Sequence, residues 1–524
     1  MLTLKDSILL AGDNLLATLA PSQGYLPFWG VNLDSNGQAE CQIFWPSHNV
    51  GRWWDAMLRL ESVTGFKIPA DLENRMVDNL KQCLDNPLKV NCHLIPRIGL
   101  EPGPDPAGWF DDHSQREVLL ALADLVRFRH QPWANELGSH MVRALDGYIQ
   151  EDGNWDYVRM GEIVRQAGIP VSQALIDYYR KMTGFRLVES TGRLIEALLE
   201  FYTASGDEIA LKLASRLAQH HLEVSTKPDG SHPAAEHIHT HSYLGTLRGL
   251  LMYGQLTRQH EYIERVAKTY LETVIKTIKQ TGFLSHDLGK EKDGETGSVG
   301  DVVQLALRLA QSGYPEFLDD AERIVRARLL PSQISETIGL QPLVDDGKDE
   351  HSDLDKRTLG AFGGLHYQTH GGKHPFTDIT AADLHSLCDF YAHIVENSPL
   401  GLQVNFHFDY EDDRIRIQCS RHEQATLSIL LKAPQPLLIR IPGWTPAASV
   451  RLKVNAQAIP LSWVGHFLYI PQQAGPAEIQ VEYDLPLSTL DETTDGVTYH
   501  VQWRGDEITS ISPNVDWLPF YPNL

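Results

Sequence analysis

Between about residues 49 and 396 apolar side chains recur every three to four positions, the spacing that lays one apolar stripe along a helix. The stretch 114–127 shows it behind Ser114, a favoured N-cap, and the pattern returns at 191–203, 211–222, 242–256, 261–278, 299–311 and 317–330. Loops rich in Gly, Pro, Asp and His separate these segments, as at 105–113 and 151–155. Past about Gly401 the period drops to two, at 404–408, 414–418, 426–431, 437–441, 449–454 and 478–483. The reading is a mainly α fold, an (α/α)6 toroid with an N-terminal extension over residues 1–400, followed by an antiparallel β-sandwich over residues 401–524. The boundary is expected at Pro399-Leu400-Gly401, and the site at the mouth of the helical ring.

Composition narrows the partners. With 45 basic against 68 acidic residues the net charge is −23, which disfavours nucleic acid, anionic membrane surfaces and long polyanions. A small carbohydrate is easier to reconcile with that field. No apolar run reaches the length of a membrane span. Met1 to Leu10 lacks the pattern of a secretory signal, and five scattered cysteines (Cys41, Cys83, Cys92, Cys388, Cys419) without CxxC spacing suggest reduced thiols, so a cytoplasmic location is expected. The aromatic stretch 514–522 is expected to pack against the body, with self-association as a homodimer the alternative.

The densest chemistry lies at 362–380, where glycines, His366, His370, His374, Lys373 and Asp378 crowd one irregular segment. His366, His370 and Lys373 are read as loop contacts to a polar ligand, Lys373 suiting a carboxylate; solvent-exposed side chains are the alternative. Glu295 sits in a glycine-flanked loop opening a helix, where a partly buried carboxyl can protonate a leaving oxygen; the alternative is an acid favoured by the helix dipole. His237, His239 and His241 alternate before a helix and, if extended, face one way to hold a divalent metal or grip sugar hydroxyls; structural loop histidines are the alternative. His241 with Tyr243 can also act as acid and base in an elimination. Trp54-Asp55, Asp112-His113 and Trp155 set aromatic faces beside polar groups, as sugar subsites do, and core packing is the competing reading.

The order of toroid and sandwich, Gly401-Leu402-Gln403-Val404-Asn405 opening the β region, and Leu438-Ile439-Arg440-Ile441-Pro442-Gly443-Trp444 followed by Val454-Asn455 resemble glycoside hydrolase family 127, the β-L-arabinofuranosidase group. Gly294-Glu295-Thr296 before a long helix and the block from Phe376 to Tyr391 add to the resemblance. It implies a glycosidase, with Glu295 at the position of a proposed general acid/base. The family also implies a zinc site of three Cys and one Glu, one Cys being the nucleophile. Here Gly297 stands where a Cys is expected, and Thr377-Asp378-Ile379-Thr380 where the later Cys cluster falls. That zinc site is therefore expected to be lost, no cofactor is expected, and Asp378 replaces the thiolate as base or nucleophile, unless it serves as a helix N-cap. The leading expectation is hydrolysis of a terminal sugar from a small glycoside. A lyase or dehydratase using His241, Tyr243 and Lys373, and a non-catalytic sugar-binding protein, are the alternatives.

Overall fold

The computed structural model describes residues 2–27, 29–33, 38–43, 46–92, 110, 113–171, 191–232, 238–342, 352–371 and 377–524. Its helices are α1 (Leu4–Ala17), α2 (Pro46–Thr64), α3 (Ala70–Cys83), α4 (Gln115–Arg129), α5 (Pro132–Tyr148), α6 (Tyr157–Gln166), α7 (Leu194–Ser205), α8 (Glu208–Val224), α9 (Thr240–Thr257), α10 (His260–Thr269), α11 (Thr296–Gln311), α12 (Leu318–Ile324) and α13 (Thr377–Ala392). Wide π turns over Tyr270–Val274 and Val325–Leu329 extend α10 and α12, which accounts for the long periodic stretches at 261–278 and 317–330.

Six of these helices close a ring. α2 packs on α4, α4 on α7, α7 on α9, α9 on α11, α11 on α13, and α13 back on α2. Six others form an outer layer: α1 lies against α13 and α2, α3 against α2, α5 against α4, α8 against α7, α10 against α9 and α12 against α11, while α6 packs on α5. This is the expected (α/α)6 toroid. Inner helices are buried on every side, so polar positions such as Arg116, Glu117 and Asp124 of α4, Arg248 of α9 and Asp301 of α11 lie in the interior together with the apolar ones. Close approach between two of them depends on Gly51, where an added Cβ would stand 2.5 Å from the backbone carbon of Glu117. No helix among the described residues is long and apolar enough to cross a membrane.

The chain changes from helix to strand between Ala392 and Val395, just before the expected boundary. The strands that build the sandwich are β1 (Val395–Ser398), β2 (Gly401–Val404), β3 (Tyr410–Glu411), β4 (Ile415–Arg421), β5 (Gln424–Leu431), β6 (Leu437–Arg440), β7 (Arg451–Val454), β8 (Gln457–Ala458), β9 (Trp463–Val464), β10 (Phe467–Ile470) and β11 (Ala477–Asp484). One sheet runs β3-β4-β5-β11-β7-β8 and the other β9-β10-β6-β2-β1. Alternation in β5 and β11 puts Leu427, Ile429, Leu431, Ile479 and Val481 inward, as period two requires. The sandwich departs from the antiparallel expectation at one pair, because β2 and β6 run parallel with Leu402 opposite Leu437. The intervening chain crosses to the other sheet as β3–β5 before returning, and such a crossover yields parallel neighbours.

A three-stranded meander, β12 (Leu487–Thr494), β13 (Val497–Arg504) and β14 (Glu507–Ser512), returns to the toroid. Its buried Glu492 accepts hydrogen bonds from the Gln280 amide at 2.6 Å, the Thr281 hydroxyl at 2.7 Å and the Tyr367 phenol at 2.5 Å. The sandwich is anchored by Arg440 of β6, fully buried, which pairs with Glu322 and Asp319 of the outer helix α12 and donates to the Asn405 carbonyl at 2.5 Å. Arg440→Ala unpairs Asp319 and leaves buried Glu322 with Arg326, at 2.9 Å, as its remaining partner, a loss of about 3 kcal/mol. The calorimetric melting temperature is expected to fall clearly, whereas Arg416→Ala, at the exposed pair with Glu411, should leave it nearly unchanged.

Candidate active site

The first turns of the six inner helices meet at one end of the ring. Asp378, the second residue of α13, lies 2.8 Å from His48 Nε2 and 2.9 Å from Arg52 Nε, both on α2. The Ser114 hydroxyl sits 3.0 Å from His48 Nδ1, which holds the ring with Nε2 toward the carboxylate. Asp378 is therefore not the cap of a helix beginning at 381; its side chain reaches across to the neighbouring inner helix. Burial pushes its carboxyl up, but His48 and Arg52 outweigh that and hold it well below the usual carboxylate range. It is an ionised group partly open to the mouth.

From Arg52 the network continues inward. Its Nη2 donates to His241 Nε2 at 2.5 Å, and His241 Nδ1 bonds Asp301 of α11. Arg248 joins Asp301 at 2.5 Å to Glu196 at 2.6 Å, Arg116 binds Glu196 at 2.5 Å, and Arg116 meets Glu117 at 2.9 Å. Arg193 closes the circuit on Glu117 at 2.5 Å and donates to His113 Nε2 at 2.6 Å, while His113 stacks on His48 with centroids 5.6 Å apart. Burial, with the Arg193 charge beside it, keeps His113 well below the usual imidazole range. Deeper still, Gln304 links to Asp389 at 2.8 Å, and Asp389, His385, Asp55 and Arg59 form a further layer.

Glu295 stands beside this circuit. It immediately precedes α11 in a two-residue strand, Gly294–Glu295, that pairs with Gly364–Leu365. Gly294 is required there because a Cβ would come within 2.4 Å of the Leu284 carbonyl. The Glu295 carboxylate lies 3.4 Å from His239 Nε2 and accepts from the Ser298 hydroxyl at 3.1 Å. Burial would raise it, yet hydrogen bonding and charge from His239, with His241 and His286 behind, bring it down to about 2. Asp383 has the opposite fate: burial, with Asp301 and Glu295 nearby, raises it well above the ordinary value, against hydrogen bonding from Thr296. The glycine-rich segment supplies the brace between α11 and α13: the Thr296 amide donates to the Gly363 carbonyl, and the Phe362 amide to the Thr380 hydroxyl.

Sequence-based candidates separate sharply. Asp378, Glu295, His241, His239 and His113 converge on the mouth. His239 is the extended N-cap of α9 and His241 its second residue; their rings lie 6.0 Å apart, edge to face, with His239 turned to Glu295 and His241 to Asp301. Tyr243 is fully buried, its ring 5.6 Å from His232, and burial raises its phenol. Trp54 is core, donating to the Met76 carbonyl at 3.2 Å, and Trp155 is core against Tyr148, with its indole NH on the Met160 sulfur. Asp55 belongs to the deep layer with His385, not to a subsite. His370 is buried edge-on against Phe520 of the C-terminal segment, and His366 is half exposed, 3.1 Å from Asp293. Asp112, His237, Lys373 and His374 lie outside the described residues. His48, Arg52, Glu117, Arg193, Asp301 and His286 were not picked out; for His48 and Arg52 the reason is that charges four apart on a helix ordinarily mark a solvated face.

The donors of a thiolate zinc centre are missing among the described residues. A Cβ at Gly297 would face Ile379 and Ala382, and Cys388 is buried deeper in α13 with burial raising its thiol. A sulfur-bound zinc does not fit here.

Fold and site together define a six-hairpin toroid with a polar mouth, joined to a β-sandwich. Among solved structures, a GH127 β-L-arabinofuranosidase from Geobacillus stearothermophilus T6 matches with a TM-score of 0.51 at 14% identity, over 88% of this chain and 76% of its own. A second GH127 β-arabinofuranosidase matches with a TM-score of 0.58 at 13% identity, over 88% and 75%. At such identities the likeness is one of fold. No protein-family model matches the sequence, and no curated protein matches it.

The depressed pKa of Asp378 sets a pH signature. A carboxyl whose folded value lies below its unfolded one adds stability that is complete above the unfolded value and is lost as pH falls through the folded one. The gap in melting temperature between the wild type and Asp378→Asn is expected to be open at neutral pH and to narrow as pH drops below 3.8, which calorimetry over an acid series checks.

Proposed function

We propose that this chain is a carbohydrate-active enzyme that hydrolyses a small glycoside at the mouth of the helical ring. The carrying observation is Asp378, an ionised carboxylate fixed by His48 and Arg52 at the open end of a toroid whose fold is that of known glycosidases. Clamped in this way it is a weak base, so its suited task is to attack or stabilise the cationic anomeric carbon rather than to strip a proton from water. Glu295, facing His239 at 3.4 Å, is the second functional group, placed to assist the leaving oxygen through a proton shared with that imidazole. His241 stands between them, bonded to Arg52 of the Asp378 clamp and with its ring 6.0 Å from that of His239.

A net charge of −23 favours neutral sugars over polyanionic chains. Elimination finds less support, because its proposed partners His241 and Tyr243 turn to different neighbours. The test is product analysis over a panel of aryl and disaccharide glycosides. Release of a saturated reducing sugar is expected, with kcat reduced about 10³-fold in Asp378→Asn. An unsaturated, ultraviolet-absorbing product, or wild-type turnover in Asp378→Asn, would overturn the assignment.

A further inference from the structure

Three donors from separate elements converge beside the ion-pair circuit. One nitrogen each of His239 and His286 and one oxygen of Glu295 lie within 4.8 Å of one another. His239 precedes α9, Glu295 precedes α11, and His286 lies in the connection between α10 and α11. Backbone bonds lock these segments together: the Thr240 amide donates to the His286 carbonyl at 2.9 Å, the Leu288 amide to the Ile238 carbonyl at 2.9 Å, and the His286 amide to the Asp293 carbonyl at 2.8 Å. The arrangement is built before anything binds.

Each imidazole is also oriented from behind. His239 Nδ1 lies 2.8 Å from the Ser242 hydroxyl, and His286 Nδ1 lies 3.0 Å from Asp287 Oδ1. Engaging Nδ1 in this way fixes the ring and leaves Nε2 to carry the lone pair, which is how metal-ligating histidines are held. The rings stand 4.6 Å apart at their centroids, tilted by 43°. At 3.4 Å, the His239–Glu295 separation exceeds that of a tight charge-assisted hydrogen bond, whose donor and acceptor close to about 2.7–2.9 Å.

We infer that His239, His286 and Glu295 form a binding site for one divalent transition-metal cation. Two imidazoles and a carboxylate make a donor set suited to zinc, and three protein ligands leave a further position for an oxygen of water or sugar. This is not a thiolate centre, since it holds no sulfur. The half-exposed His286 provides the way in from solvent. The inference deepens the hydrolytic reading and rests on its location of the site: bound there, a cation would supply the positive charge otherwise assigned to the proton shared by His239 and Glu295.

The test uses the untagged full-length chain, stripped with a chelator and titrated with zinc or cobalt alone against a chromophoric competitor. One equivalent is expected to bind. His239→Ala and His286→Ala should each weaken zinc affinity by about 100-fold or more, and Ser242→Ala, which removes only the orienting partner, by about 10-fold. His500→Ala, at an exposed histidine on the meander, should change nothing. Circular dichroism verifies that each variant is folded, and His286→Ala removes a largely solvent-facing ring. Failure of the wild type to bind either metal saturably, or binding that survives both His→Ala changes, would overturn the site. With no sugar in the assay, that failure leaves hydrolysis standing, and absence of hydrolysis leaves the metal site standing.

Discussion

The structure depends on a column of buried ion pairs running down the axis of the helical ring. Each inner helix contributes charges to it: His48, Arg52, Asp55 and Arg59 from α2, Glu117 from α4, Glu196 from α7, His241 and Arg248 from α9, Asp301 from α11, and Asp378 and Asp389 from α13. Apolar residues of similar volume can stabilise an interior as well as such pairs do, so the column is not explained by stability alone. What it supplies is alignment. Because each charge left alone in the interior is costly, the six helices have one relative placement in which every member finds its partner. The open end of that placement is the candidate site.

Helix dipoles add to this logic. The N-termini of the inner helices gather at the mouth, and Glu117, Glu196, Glu295 and Asp378 all stand in or next to a first turn, where negative charge is favoured. Arginines then neutralise the surplus from within. Asp378 and Asp383, five residues apart on one helix, end in opposite states because His48 and Arg52 outweigh burial at the first, whereas burial, with Asp301 and Glu295 nearby, prevails at the second. Position around the helix, rather than residue type, decides which carboxyl carries charge.

Much of the fold was legible from periodicity, since both the helix spacing and the switch to alternation near Gly401 follow directly from what each element buries. The parallel pairing of Leu402 with Leu437 was not legible, because alternation says nothing of strand order. In the site, Glu295 and Asp378 stood out through their glycine-rich or family-related surroundings. His48 and Arg52 did not: with Asp55 and Arg59 they form a stripe that reads as a solvated face, and only ring closure turns it inward. Trp54 and Trp155 misled for the converse reason, since an aromatic beside an acid suits a sugar subsite and a helical core equally well. His286 gave no signal because its partners are joined to it through space rather than through spacing.

The C-terminal segment bears on how the protein is made. Phe520 donates its amide to the Gln368 carbonyl, Thr369 donates to the Trp517 carbonyl, and Tyr521 reaches the Ala327 carbonyl, so this segment fastens the loop whose other end, Gly364, pairs with Glu295. On the ribosome the helical ring emerges long before residues 517–521. A nascent chain can thus complete its toroid while the strand beneath Glu295 still lacks its outer support, and the mouth matures only after residues 517–521 have emerged.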